Sequence, residues 1–159
     1  SNQHSIRNGL WGLRDAGCAE DDIILVHDGV RPLVAERIIT ENIEKCRKYG
    51  YAITGMICKE AIMQKVDDCV KNIDIPRERL VRTQTPHTYP LGTLLKAHAE
   101  ADAKGIDGTV ASCTLMAELG VDNQHLVMGS EKNGLKLTQT EDVELFKALK
   151  HTTKDEWLK

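Results

Sequence analysis

The stretch "ILVHDGVRP", Ile24–Pro32, decides how this chain is read. Together with Ile23 it opens as an unbroken apolar run of strand length, the pattern of a strand covered on both faces. It then passes directly into His27, Asp28, Gly29, Arg31 and Pro32. Upstream, "SIRNGLWGLRDAG" repeats Ile6, Leu10 and Leu13 at helical spacing and stops at Gly17. Downstream, "LVAERIITENIEKCRKYG" places Ile39, Ile43 and Cys46 on one helical stripe ending at Gly50, and "YAITGMIC" reads as a second strand. A helix, strand, helix, strand alternation predicts an α/β fold with right-handed crossovers and a parallel sheet. Ligands of open α/β sheets bind beyond the carboxyl ends of the strands, so the polar residues after Val26 stand where such a fold places chemistry. Locally the same residues also read as a strand-ending turn, with Asp28 capping backbone donors and Pro32 starting a helix. His27 and Asp28 make a weak metal pair on their own, because neighbours on an extended strand point to opposite faces.

The 159 residues, 41% of them hydrophobic, suffice for one domain, burying roughly 70% of the surface of its unfolded form. Acids and bases are mixed along the chain and the formal charge is only -3. No basic stripe is available to nucleic acid. No apolar run approaches the ~20 residues of a membrane helix, and the first residues lack the grammar of a signal peptide, so a soluble cytoplasmic protein without a membrane partner is expected. The five cysteines, Cys18, Cys46, Cys58, Cys69 and Cys113, show neither CxxC nor Cys/His ligand spacing and read as reduced thiols.

The segment "KEAIMQKVDDCVKNIDIPRERLVRTQTP" breaks the alternation. Short polar-apolar runs flank Asp67 and Asp68 as in a hairpin, ended by Pro76. So thin a hairpin is marginal alone and is expected to lean on another surface, such as a second subunit. In "RERLVRTQTPHTYP" the guanidinium groups of Arg77, Arg79 and Arg82 precede Thr83 and Thr85 in what reads as a proline-punctuated loop. These groups suit phosphate recognition, or simply a solvated charged hairpin. Next come two helices, "LGTLLKAHAEADAKG", with Leu91, Leu94, Leu95 and His98 inward, and "TVASCTLMAELG". "HLVMGS" and "GLKLT" read as short strands, and Thr138 with Glu141 as a capping box for a last helix, "EDVELFKALKH", which the tail "TTKDEWLK" extends or frays from. Gly129, Gly134 and Lys136 would bring backbone and ammonium to a phosphate, or Lys136 is the outward lysine of an alternating strand.

In order, "SIRNGL", "VHDGVRPLV", "KEAI", "RERLVRTQTPHTY" and "GLKLTQTEDV" resemble the cytidylyltransferases of methylerythritol 4-phosphate and ribitol 5-phosphate, whose motifs read S-V-x-N-G-L, H-D-x-x-R-P, K-D-T-I, R-x-x-L-x-x-x-Q-T-P-Q and N-I-K-x-T-x-P-E-D. The resemblance covers nearly the whole chain, and H-D-x-x-R-P followed at this distance by Q-T-P is its most specific part. It implies a Rossmann-like nucleotidyltransferase sheet with a protruding dimerisation arm, about residues 59–83. It also implies cytidylyl transfer from CTP to a sugar-alcohol phosphate with release of pyrophosphate, assisted by Mg²⁺ or another divalent cation. By that pattern Asp28 contacts metal and nucleotide, Lys136 faces the metal-phosphate assembly, Arg31 organises the site, and Ser5 and Gly29 lie by the nucleotide. Arg77, Thr85 and Thr109 match substrate positions, Arg77 and Thr85 reaching the neighbouring subunit's site across the arm of a homodimer.

Departures accompany the match. His87 replaces the last glutamine of Q-T-P-Q, Glu60 and Ala61 replace Asp-Thr, Thr140 stands for proline, and T-D-x-A-S becomes "DGTVASCTL". The family's glycine-rich, basic triphosphate loop has no counterpart, as though on the order of 80 residues, about one nucleotide-binding half of a doubly wound sheet, preceded Ser5. The chain is thus expected to be a fragment of such an enzyme, inactive alone. The alternative is a non-catalytic degenerate homologue serving as a dimeric scaffold or ligand-binding module.

Overall fold

A computed structural model describes residues 2–151, so the tail "TTKDEWLK" lies outside the described residues. The elements run α1 (Asn2–Asp15), β1 (Ile23–Val26), α2 (Glu36–Tyr49), β2 (Ala52–Ile57), β3 (Met63–Val66), β4 (Cys69–Asn72), a 3-10 turn (Arg77–Arg79), β5 (Val81–Pro90), α3 (Leu91–Lys104), α4 (Ser112–Glu118), β6 (His125–Met128), α5 (Glu131–Gly134) and α6 (Thr140–His151). The main sheet has the order β1-β5-β2-β6, and β3-β4 form a separate two-stranded ribbon.

The α/β class holds, but the sheet is mixed. β5 pairs antiparallel with both β1 and β2, while β2 and β6 are parallel. The residues expected to form a loop around Thr83 and Thr85 are thus an interior strand. Pro86 is tolerated because the register jumps between the pairs Ile53–His87 and Thr54–Gln84, leaving Thr85 and Pro86 out of the β2 ladder, and Pro90 is the last residue of the strand. A missing backbone N–H costs nothing where no ladder bond is made.

α1, α3 and α4 cover one face, where Leu10, Tyr89, Leu91, Leu94, Ala97 and Met116 form the larger core. α2 covers the other, packing Ile38 and Cys46 on Ala52 and Val127. The buried stripe of α2 is Ile38, Asn42 and Cys46, one position off the expected Ile39 and Ile43, which are only half-buried. Asn42 is the reason: its Nδ2 donates to the Ile38 carbonyl (2.8 Å) and to Thr54 Oγ1 (2.9 Å), and its Oδ1 accepts from Thr88 Oγ1 (3.2 Å). Thr54 in turn donates to the Pro86 carbonyl at 2.8 Å. A fully paired buried network therefore clamps α2 onto the β5 bulge.

Two further expectations change. "GLKLT" is not a strand: Ser130 Oγ accepts from the Asn133 N–H and starts the short helix α5, after which the chain runs extended, held by Leu137 N–H to the Val30 carbonyl at 2.8 Å. At α6 the cap is Asp142, not Glu141. Its Oδ2 accepts from the backbone N–H groups of Thr138 and Gln139 and from the Thr138 hydroxyl. These bonds favour the ionised carboxylate and lower its pKa.

The β3-β4 hairpin turns at Asp67, in the left-handed region at φ 51. Its residues are exposed throughout, Met63 by 50% and Val70 by 64%. All five cysteines are free thiols. Among the described residues, no helix is long and apolar enough to cross a membrane.

Candidate active site

β1 ends at Val26, and the next residues close a tight turn through the Arg31 N–H to the Asp28 carbonyl at 2.9 Å. This turn folds Arg31 back onto its own strand end: Arg31 Nε donates to Asp28 Oδ2 at 3.0 Å, and Nη1 donates to the Gly134 carbonyl. Lys136, carried in by the segment after α5, places Nζ 3.4 Å from the same Oδ2. Burial alone would raise the Asp28 carboxyl. The Arg31 hydrogen bond and the Lys136 charge outweigh it and hold the pKa below the ordinary carboxylate range. Asp28 is therefore an anion at neutral pH.

A chain of hydrogen bonds fixes the turn from behind. His27 Nε2 lies 2.9 Å from the Arg31 carbonyl, which can only accept, so this nitrogen carries a proton. In the neutral ring Nδ1 is then an acceptor, and Thr85 Oγ1, 3.0 Å away, donates to it. The same hydroxyl accepts from the Asp28 N–H at 3.1 Å. Thr85 thus spends its only proton inside the protein, leaving a lone pair for any ligand.

A second brace lies beneath Lys136. Asn133 is fully buried and donates from Nδ2 to Gln84 Oε1 (2.9 Å) and to the Thr85 carbonyl (3.1 Å), while Gln84 Nε2 donates to the Ser130 carbonyl (3.0 Å). Gly129 and Gly134 make room for Gln84: a Cβ on Gly129 would lie 2.1 Å from Oε1, and one on Gly134 would lie 2.7 Å from Nε2. The two glycines that the sequence offers as phosphate contacts are therefore needed for packing.

Asp28, Gly29, Thr109 and Lys136 line one open cleft of about 630 Å³. Asp28, Arg31, Thr85, His87, Ser112 and Lys136 line an adjoining one of about 190 Å³. Thr109 is fixed by Gln3 of α1, whose Oε1 accepts from the Thr109 N–H and Oγ1 at 3.0 and 2.9 Å. Six of the eight residues expected at the site thus converge, Thr85 among them in its own chain's cleft, on β5, although the resemblance assigned it to the neighbouring subunit's site. The other two do not: Ser5 is exposed on α1, and Arg77 sits at the foot of the hairpin, with Nη1 3.4 Å from the Lys59 carbonyl. Neither lines these clefts. Asn133 and Gln3 were not visible as site residues in the sequence, since a lone amide carries no motif; Gln84 stands first in the Q-T-P motif, but its role was not legible there.

Among the described residues no group of three or more His, Cys, Asp or Glu could hold a metal. Among the described residues, Asp28 is the single carboxylate lining either cleft. One carboxylate beside open space suits Mg²⁺, which keeps its waters and takes most of its other ligands from substrate phosphates.

The ion-paired carboxylate lies beyond a strand end of the mixed sheet, whose fold is the Rossmann-like nucleotidyltransferase fold of the solved structures it superposes on. The family model for IspD, 2-C-methyl-D-erythritol 4-phosphate cytidylyltransferase, matches residues 1–151, and the chain belongs to that family. It is 42% identical over 149 residues to a ribitol-5-phosphate cytidylyltransferase of Lacticaseibacillus paracasei, covering 92% of this chain and 62% of that protein. It is 36% identical over 141 residues to a 2-C-methyl-D-erythritol 4-phosphate cytidylyltransferase of Clostridium acetobutylicum, covering 89% and 58%. The chain thus spans about 60% of the length of these curated relatives. The crystal structure of the 2-C-methyl-D-erythritol 4-phosphate cytidylyltransferase from Thermus thermophilus superposes with a TM-score of 0.79 at 26% identity, covering 96% of this chain and 70% of that one.

Proposed function

We propose that the protein carrying this chain transfers the cytidylyl group of CTP to a sugar-alcohol phosphate, ribitol 5-phosphate or 2-C-methyl-D-erythritol 4-phosphate, releasing pyrophosphate. The observation that carries this reading is the Asp28–Arg31–Lys136 cluster at the end of β1, in a chain of this family. The acceptor phosphate oxygen attacks the α-phosphorus, and the bond to the pyrophosphate oxygen breaks. Negative charge grows on the transferring phosphoryl and on the leaving group, so preorganised positive charge is the chief demand.

Lys136 meets that demand. It is half-exposed, and its ammonium has three donors, so pairing with Asp28 leaves others for phosphate oxygens. Arg31 acts differently: its guanidinium is engaged by Asp28 and Gly134, so it positions both partners. Asp28 is the residue that would hold a divalent cation, which when bound neutralises phosphate charge. Thr85 and Thr109, their protons committed internally, receive hydrogen bonds from the acceptor's hydroxyl groups. Ser5 and Gly29 border the nucleotide.

Arg77 serves the site of a second copy. The exposed apolar residues of the hairpin, and the distance of Arg77 from its own clefts, support a homodimer formed through this arm. We assign the reaction to the cytoplasm; among the described residues no helix is long and apolar enough to cross a membrane. Pyrophosphate release should be assayed on the protein expressed from its full reading frame, with CTP and each polyol phosphate in turn. Turnover with neither would contradict the proposal, and a reading frame encoding no glycine-rich basic loop would favour the scaffold alternative.

A further inference from the structure

The smaller cleft contains two polar atoms that the protein leaves unused. His87 and Ser112 are each 2% exposed, and His87 Nε2 and Ser112 Oγ have no hydrogen-bond partner. Both residues line the 190 Å³ cleft, whose walls Asp28 and Lys136 also belong to the larger cleft beside it. An orphaned buried polar group bears its full desolvation cost with no bond to offset it. Two in one small cleft mark a place that a ligand completes.

Their chemistry restricts the ligand. His87 bonds the Gln84 backbone, an interaction that favours its protonated form, so a ring nitrogen donates to the carbonyl. With Nδ1 as that donor, Nε2 of the neutral ring is a bare acceptor. A bare acceptor repels phosphate oxygens and takes an O–H or N–H. Ser112 Oγ both donates and accepts, so hydroxyl groups suit both atoms, donating to Nε2 and accepting from Oγ. Val26 and Ile6 supply an apolar wall on which the carbon of such a group would rest.

We propose that His87 and Ser112 form a hydroxyl-reading subsite that selects the polyol chain of the phosphorylated acceptor. This deepens the transferase reading and rests on it. The phosphate stays with the cations at the cleft mouth, and a chain hydroxyl enters the inner cleft.

The test uses protein from the full reading frame, labelled with 15N-histidine, alongside Ser112→Ala, His87→Gln and His87→Phe. Calorimetric titrations with ribitol 5-phosphate, 2-C-methyl-D-erythritol 4-phosphate, inorganic phosphate and CTP give the affinities. Ser112→Ala and His87→Phe are expected to weaken the preferred polyol phosphate about tenfold, the value of one hydrogen bond, without changing CTP or inorganic phosphate. The His87 Nε2 resonance should shift with the polyol phosphate and not with inorganic phosphate. Equal polyol affinity in the wild type and in the folded Ser112→Ala and His87→Phe variants overturns the subsite alone, and His87→Gln, which keeps an acceptor, is expected to bind the polyol phosphate more tightly than His87→Phe. A loss confined to CTP also overturns it, assigning the pair to the nucleotide ribose. A wild type that binds neither polyol phosphate overturns the transferase reading and the subsite together.

Discussion

Lys136 Nζ and Arg31 Nε meet on a single oxygen of Asp28, at 3.4 and 3.0 Å, although Lys136 arrives from a separate segment near the other end of the described chain. This convergence makes the carboxylate a permanent anion and gives the two cations different tasks. Arg31 is held by Asp28 and the Gly134 carbonyl through Nε and Nη1, whereas Lys136 keeps donors for a ligand. Lys136→Met should therefore lower turnover about 10²–10³-fold, the usual effect of losing one preorganised charge, while leaving thermal stability nearly unchanged. Steady-state kinetics beside a melting curve separate these effects. Arg31→Lys should instead lower both, because an ammonium cannot reproduce the forked contact to Asp28 and Gly134.

The Asn42 network predicts a purely structural defect. Asn42→Ala would strand the Thr88 hydroxyl and remove the donor to Thr54 Oγ1 in a region with no exposure, costing about 1–3 kcal/mol. Urea denaturation should show a lower midpoint with an unchanged slope. An unaltered midpoint would mean the network adds nothing to stability.

His87 predicts an acid-side loss of stability. Burial lowers its pKa to about 4 from 6.5, so the unfolded chain binds the proton more readily than the folded one. The penalty is absent above 6.5, grows as pH falls, and is complete near 4, reaching roughly 3 kcal/mol. Burial moves His98 in the same direction, so the His87 share is the difference between wild type and His87→Gln. The variant should show a shallower decline of denaturation free energy between pH 6.5 and 4. Identical slopes would contradict the assignment.

The hairpin predicts an association defect. Val70→Lys and Met63→Lys place charge on its exposed apolar positions without touching either core. Sedimentation velocity should show these variants shifted to monomer, with turnover falling in parallel if Arg77 serves a second copy. A dimer unaffected by both substitutions would exclude the arm as its interface.

Much of this arrangement was legible in the sequence. The apolar run ending at Val26 located the turn, and the helix stops at Gly17, Gly50 and Gly105 all carry positive φ. The hairpin around Asp67 and Asp68 was visible from its alternation and its flanking breakers. Other features lay outside periodicity. Pro86 and Pro90 disguised β5 as a loop, because only pairing with β1 and β2 reveals that Pro86 sits in a bulge and Pro90 at the strand's end. Asn42 disguised the buried stripe of α2, since its partners lie on β2 and β5. The brace formed by Gln84, Asn133 and two glycines depends on a close approach between distant segments, which local patterns do not encode.

The most direct test of the account is calorimetric binding of CTP with Mg²⁺ to protein from the full reading frame, compared with its Asp28→Asn variant. The variant keeps the shape of the turn and removes the charge that Arg31 and Lys136 converge on. The account predicts at least a roughly tenfold weaker complex and loss of pyrophosphate release in the variant, since the metal-phosphate assembly loses its protein anchor. Undiminished affinity and turnover in Asp28→Asn would contradict it.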